Sequence, residues 1–486
     1  MQRISRRICP ERGRRGTGAW THRPAVLAVA CLIPGEALAH ATDRGHVLLL
    51  PTNYYLAGGA VAVALTFAVL AVGSLTVLNR FADVRIRLFA VPDKLRLAGS
   101  FICLAFLAAL VVIGVIGSRD PLSNALPLMV WTVFWVGLTL LQGIAGDLWR
   151  WINPWYLPAR LLSRLLGRGT GDRMPAWLGY WPAIVQFFAF AWFELVYPAP
   201  DDPARLAVAV SAYFAVNLVG AVAFGYEAWM QRGECLSVFL RMISRLAILD
   251  SKDDGEGRRC LALCLPGAKL VGTKPLPLSG TLFLLLALST VSFDGLMRTF
   301  FWFGLFGINP LEFTGRSSVI GISSFGMVAM FVLLSTAFLL AVWLGERLTR
   351  APAGFGRAAG TLVWSIIPIS MAYHFSHYLV VLVINGQYAL SALSDPLMNG
   401  LDLFGTAGMH VQAGLLMGAE SAWLVWNLQS AAIIGGHVLA VLVAHVIAAR
   451  LYGSARDAAS SQLPLAALMA GYTVFGLWLL SSPTAG

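Results

Sequence analysis

Trp423-Leu424-Val425-Trp426-Asn427-Leu428-Gln429-Ser430-Ala431-Ala432-Ile433-Ile434-Gly435-Gly436-His437-Val438-Leu439-Ala440-Val441-Leu442-Val443-Ala444-His445-Val446-Ile447-Ala448-Ala449 runs for 27 residues without an Asp, Glu, Lys or Arg. At a rise of about 1.5 Å per residue such a helix crosses the ~30 Å hydrocarbon layer of a bilayer. Runs of the same kind lie near 54–78, 97–117, 125–145, 177–197, 204–226, 279–296, 318–345, 358–384 and 463–481, giving ten candidate spans. The chain is 58% hydrophobic and 12% charged, with a mean hydropathy of +0.73, and leaves no stretch for a soluble domain of any size. The expected fold class is all-α: a polytopic transmembrane helix bundle of about ten spans, preceded by a cleavable signal peptide.

Basic residues orient this bundle. Twenty-three of the 35 Lys and Arg fall in alternate loops, at 79–96, 146–176, 227–278, 346–357 and 450–462. The intervening loops and the segment before the first span hold only Arg44, Arg119, Arg205, Arg298 and Arg316. The positive-inside rule then places the first set in the cytoplasm and both mature termini outside, in a bacterial inner membrane. The net charge of +11 reads as topology and contact with anionic lipid in the bilayer; it excludes a nucleic-acid partner as the simplest reading.

Residues 1–39 have the layout of an export signal. Seven arginines from Arg3 to Arg23 precede a short apolar run, Ala25 to Ile33, and then Ala37-Leu38-Ala39, a small-residue cleavage pattern. Cleavage after Ala39 leaves His40 as the new N-terminus, where an α-amine and an imidazole can grip a metal ion; the rival junction, Ala39-His40-Ala41, deletes it. Residues 40–486 then form a single transmembrane domain of unfixed oligomeric state. Cys9 and Cys31 lie in the leader, and Cys103, Cys235, Cys260 and Cys264 lie in a span or on the inner side, so a disulfide framework is not expected. Within the inner loop 227–278, Cys235 to Leu249 places Leu236, Phe239, Leu240, Ile243 and Leu246 on one helical face, the pattern of a helix lying on the inner leaflet.

The ionisable residues inside the apolar runs carry the functional signal, because an imidazole or carboxylate in hydrocarbon is costly unless paired or working. Five of the eight histidines, His374, His377, His410, His437 and His445, fall in the C-terminal quarter. His374 and His377 are three apart, so a helix brings their Cβ atoms to about 5–6 Å and the pair can chelate one ion. His437 and His445 are separated by about 12 Å of helix rise and cannot share one. Glu194 and Asp294 lie near the outer ends of their spans. Asp395, Asp402, His410 and Glu420 belong to a long outer loop, 385–422, rich in turn formers, a length expected of a binding loop or lid. These groups can converge on an outward-opening polar cavity. The bland alternatives are helix-to-helix hydrogen bonding and interfacial capping; Asn217, Gln142, Gln186 and Asn427 are best read as such glue. No Walker loop, dinucleotide fingerprint, His-Glu-x-x-His or Gly-x-Ser-x-Gly occurs.

Pro368-Ile369-Ser370-Met371-Ala372-Tyr373 leading to His377-Tyr378, then Ser394-Asp395-Pro396, Asp402-Leu403-Phe404-Gly405-Thr406-Ala407-Gly408 and Gly436-His437-Val438, resemble the bacterial membrane-bound fenitrothion hydrolases. Ser292-Phe293-Asp294-Gly295, Ala191-Trp192-Phe193-Glu194 and the Ala39-His40 junction are similar to that family too. The resemblance implies hydrolysis of an organophosphate triester, an apolar small molecule, with release of a nitrophenol. A divalent transition metal, zinc or copper, held by His374, His377 and His437, by His40, or by some of these with Asp294 or Asp395, would supply activated water, with Asp294, Asp395, Asp402 and Glu194 as candidate catalytic carboxylates. The competing expectation is transport or handling of a metal ion such as copper. In that case the histidines form a path across the membrane, with His445 as its inner station.

Overall fold

The computed structural model describes residues 52–73 and 83–483, apart from 170, 254, 256–257, 310–311, 313–314, 413 and 415–417. The expected leader, its cleavage junction and His40 lie outside the described residues. The principal elements are α1 (Thr52–Val72), β1 (Arg85–Pro92), α2 (Leu95–Ile116), α3 (Ala125–Ala145), α4 (Trp181–Leu195), α5 (Pro203–Phe224), α6 (Tyr226–Arg232), α7 (Cys235–Ile243), β2 (Leu249–Asp253), β3 (Arg258–Cys264), α8 (Leu278–Met297), α9 (Ile320–Leu348), α10 (Ile367–Ser394), α11 (Ala419–Tyr452) and α12 (Ala455–Ser481). Among the described residues nine helical segments are long and apolar enough to cross a membrane. The protein is thus a multi-pass, mostly helical membrane protein.

The tenth expected span, 177–197, is realised as α4, a helix of only 15 residues. It nevertheless runs beside α8 along its length. At the start, the Tyr180 amide donates to Ser279 Oγ at 3.1 Å, and at the far end Glu194 and Asp294 meet through one tyrosine. A helix tied to α8 at both ends reaches nearly the depth that α8 does.

α8 is the axis of the bundle. Of its most apolar window 72% is buried, against 11% for α1, and it packs on α4, α9, α10 and α12. Its sequence allows this. Small hydroxyl residues return their hydrogen bonds to the helix itself, Ser289 to the Leu286 carbonyl, Thr290 to Ala287 and Ser292 to Leu288, so no polar group is stranded. Around it, α10 packs on α11 and on α3, whose middle, Leu128–Leu138, winds as a π-helix. The α10–α11 crossing is close because Gly436 has no side chain: a Cβ there would lie 2.8 Å from the Pro368 carbonyl oxygen.

Two readings of the 227–278 segment are corrected. The stretch Cys235 to Leu249 is helical only to Ile243, and α7 does not lie on a leaflet: Cys235, Val238, Phe239, Leu240, Met242 and Ile243 are all buried. Residues off the expected apolar face, Val238 and Met242 among them, are apolar as well, so the helix is driven into protein on every side rather than onto lipid. Its buried N-terminus is satisfied by Glu234, which accepts from the amides of Leu236 at 2.8 Å and Ser237 at 2.6 Å. The part of the expected inner loop that follows holds two paired strands, Leu249–Asp253 and Arg258–Cys264. β3 pairs antiparallel with β2 and with the distant β1, giving a three-stranded sheet in the order β1-β3-β2, with a bulge in β1 between Arg87 and Ala90.

Candidate functional site

The intramembrane charges meet at the C-terminal ends of α4 and α8, against the middle of α10. Asp294, one turn before α8 ends, is 1% exposed and has both carboxylate oxygens engaged. Oδ1 accepts from Arg298, one helical turn on, with Nη2 at 2.9 Å and Nε at 3.1 Å. Oδ2 faces His377 Nε2 at 2.6 Å and the Tyr378 hydroxyl at 3.1 Å. The same hydroxyl donates to Glu194 Oε1 at 2.9 Å. One phenol, carrying one hydrogen, therefore bridges two carboxyl groups from two helices, and the indole of Trp135 approaches it at 3.5 Å. Arg316 anchors the rim by donating to the Glu194 carbonyl at 2.7 Å.

Exposure divides the cluster into a floor and a rim. Asp294 is sealed, whereas the His377 side chain is 22% and the Arg298 side chain 49% accessible. A buried carboxylate is thus held between a reachable imidazole and a reachable guanidinium. Removing one partner of a buried ion pair typically costs about 3–5 kcal/mol, since it leaves the other charge uncompensated.

Two small cavities flank the cluster. The first is lined by Trp135, Glu194, Asp294, His374 and Tyr378, with Phe239 of α7 closing it from below; the second is lined by Tyr373, Ser376, His377, Ile433 and Gly476. Each has room for water molecules and not for a drug-sized ligand, which needs about 300 Å³ or more.

The expected site residues separate into those that converge and those that do not. Glu194, Asp294 and His377 come together. His374 borders the same cavity but turns away: its Nε2 meets the Trp135 carbonyl of the π-wound segment at 3.1 Å, and its ring packs edge-on against the Trp135 indole. Residues three apart on a helix point about 60° apart, and here that angle sends one imidazole to α3 and the other to α8. His437 is fully buried between Tyr373 and Tyr472, with Nδ1 on the Ile433 carbonyl at 2.8 Å.

Asp395 and Asp402 build the loop after α10 instead of the cluster. α10 continues to Ser394, so the loop begins ten residues later than expected. Asp395 accepts from the amides of Asn399 at 3.0 Å and Gly400 at 2.9 Å. Asp402 accepts from Ser394 Oγ at 2.6 Å and the Ala407 amide at 3.0 Å, folding the Asp402 to Gly408 string back onto the end of α10. These hydrogen bonds hold the exposed Asp402 carboxylate below its ordinary range.

The three span histidines expected as ligands, His374, His377 and His437, do not converge on one ion. Among the described residues no group of three or more His, Cys, Asp or Glu side chains converges as ligands, and His374, His377 and His437 each direct a ring nitrogen to a different protein acceptor. The residues that sequence reasoning did not assign to the site are Tyr378, Arg298 and Trp135. Arg298 had a legible signal, its place four residues after Asp294; the Trp135 carbonyl had none. No known protein family, curated protein or solved structure matches the chain.

Proposed function

We propose that the chain is a multi-pass membrane enzyme that hydrolyses organophosphate triesters of the fenitrothion type, with Asp294 and His377 as its water-activating pair. The observation that supports this best is the 2.6 Å approach of a sealed carboxylate to a reachable imidazole. A carboxylate at Nε2 keeps the ring hydrogen on that nitrogen and leaves Nδ1 with its lone pair, the form of a general base. Water deprotonated at Nδ1 attacks phosphorus, the bond from phosphorus to the aryl oxygen breaks, nitrophenolate leaves, and the imidazolium returns its proton to solvent. Arg298 on the same rim stabilises the negative charge that gathers on the phosphoryl group. Neither cavity accommodates a triester, so the substrate docks on the rim, which an apolar molecule reaches from the lipid.

In this reading both mature termini and the rim lie on the outer side of a bacterial inner membrane; ten spans, with α4 counted as a crossing, and the basic alternate loops support it. Metal-ion transport is less well supported, since each histidine on α11 stands alone as a donor. The test is nitrophenol release from fenitrothion by washed membranes containing the protein, run beside His377→Ala and empty-vector membranes. Release that exceeds the vector control and disappears in His377→Ala, with the variant still in the membrane, supports the reading; equal rates in all three sink it.

A further inference from the structure

An antiparallel sheet with one solvated face ordinarily turns its apolar side chains to the core and its polar ones to water. The sheet β1-β3-β2 does the reverse. Residues paired across antiparallel strands point to the same side and successive residues to opposite sides, so the register sorts the side chains. One face carries Arg85, paired with Cys264, and Asp250, paired with Ala262. This face looks toward the protein: Arg85 Nε lies 3.4 Å from Asp250 Oδ2, and Cys264 is buried. The other face sets Ile86 and Leu249 beside Leu263. The bulge in β1 enlarges that apolar face. Arg87 pairs with Ala262 and Ala90 with Cys260, so the two residues between them, Leu88 and Phe89, both stand opposite Leu261. Ile86, Leu88 and Phe89 are 60%, 45% and 64% exposed. Apolar residues exposed singly need no explanation, whereas a contiguous patch marks an interaction surface.

We infer that this apolar face rests in the phospholipid leaflet at the end of the bundle where α3 stops and α2 starts. Two observations select lipid as the occupant. The first is continuity with the surface that the bilayer already covers. β1 ends at Pro92 and the membrane-crossing α2 begins at Leu95, where the exposed side chains of Leu95 and Leu97 carry the apolar surface onward. On the far side of the sheet the Ile248 amide, next to β2, donates to the Ile144 carbonyl in the last turn of α3 at 3.0 Å, so the sheet is tied to two spans at one end of the bundle. The second is charge. The three strands hold five basic and two acidic residues, and Arg87, Lys252 and Arg258 are exposed. Their long stems let the charged heads reach lipid phosphates while the apolar face meets the acyl chains. The competing occupant is a strand from another protein, and the sheet is built against it: β1 is an edge strand, and its bulge, its two arginines and Pro92 blunt that edge. Contact with the leaflet, expected of α7, thereby falls to the sheet that follows it.

This inference is independent of the hydrolytic reading and is tested separately. The photoreactive residue p-benzoylphenylalanine is introduced into the full chain at Ile86 and, in a second variant, at Phe89. A third variant carries it at Cys260, which is exposed on the opposite face and serves as the reference. Each purified protein is placed in nanodiscs of phosphatidylcholine and phosphatidylglycerol and irradiated, and its adducts are identified by mass spectrometry. Phospholipid adducts at positions 86 and 89 are expected at least about fivefold above those at 260, as for side chains seated at the acyl boundary. Phospholipid yields at 86 and 89 no higher than at 260 overturn the inference, as do adducts there to another segment of this chain in place of lipid. Both test positions are exposed, so neither substitution opens a core, and either variant that elutes as a single species decides the question alone.

Discussion

Asp294 and His377, 83 positions apart in sequence, face each other across α8 and α10 with 2.6 Å between Oδ2 and Nε2, and the opposite oxygen of the same carboxylate is held by Arg298. Asp294→Asn keeps the shape and removes the charge that orients the imidazole. Hydrolysis is expected to fall by about 10²–10⁴. Stability should drop by about 3 kcal/mol, the lower end for a broken buried pair because Arg298 is half-exposed. Product release and thermal unfolding of the detergent-solubilised protein measure the two separately.

The adjacent glycines of α11 should behave oppositely. A Cβ at Gly436 meets α10 at Ala372 and at the Pro368 carbonyl, whereas one at Gly435 meets open space. Gly436→Ala is expected to cost about 1–3 kcal/mol through overpacking. Gly435→Ala should be neutral or stabilising by up to about 1 kcal/mol, since alanine is the better helix former. Unfolding midpoints of the two variants, compared in one detergent, decide the matter; equal losses would mean that the α10–α11 contact is misplaced.

Glu234 is the cap that lets α7 enter the interior. Its oxygens accept from two backbone amides and from the hydroxyl of Tyr213. Glu234→Ala strands all three donors, and a loss of at least about 2 kcal/mol is expected. Because Phe239 of α7 packs against Trp135 and Phe187 and lines the cavity beside the cluster, activity should fall with it. A fully stable Glu234→Ala protein would contradict the capping role.

In the loop after α10, Asp402 holds the fold through its carboxylate acceptors, so its folded pKa lies below the unfolded one. Its ordering effect is therefore complete above the ordinary carboxylate range and is lost as pH falls through the lowered folded value. Relative to its intrinsic exchange rate, the Ala407 amide should be protected at neutral pH and lose that protection in acid, and in Asp402→Asn it should be unprotected at both. A wild-type protection factor that does not change with pH would refute it.

The membrane class was legible because twenty-residue apolar runs have few other meanings, and Asn217, Gln186 and Asn427 do bind across helices, to Trp229, Gly233 and Tyr55. α7 was misread because a face pattern tells how apolar a helix is, not whether lipid or protein covers it. Glu194, Asp294 and His377 were identifiable one at a time from their cost in hydrocarbon. Their partnership was not, since spacing reports neighbours along one helix and this cluster is built between three. The same limit made His374 look like the partner of His377, when the turn of α10 gives it to the Trp135 carbonyl instead.

The most direct test of Asp294 and His377 as the working centre is fenitrothion hydrolysis by purified protein before and after exhaustive chelation, beside Asp294→Asn. Activity that survives the chelator and is lost in Asp294→Asn is expected. Activity abolished by chelation, restored by zinc or copper and retained in Asp294→Asn would contradict it.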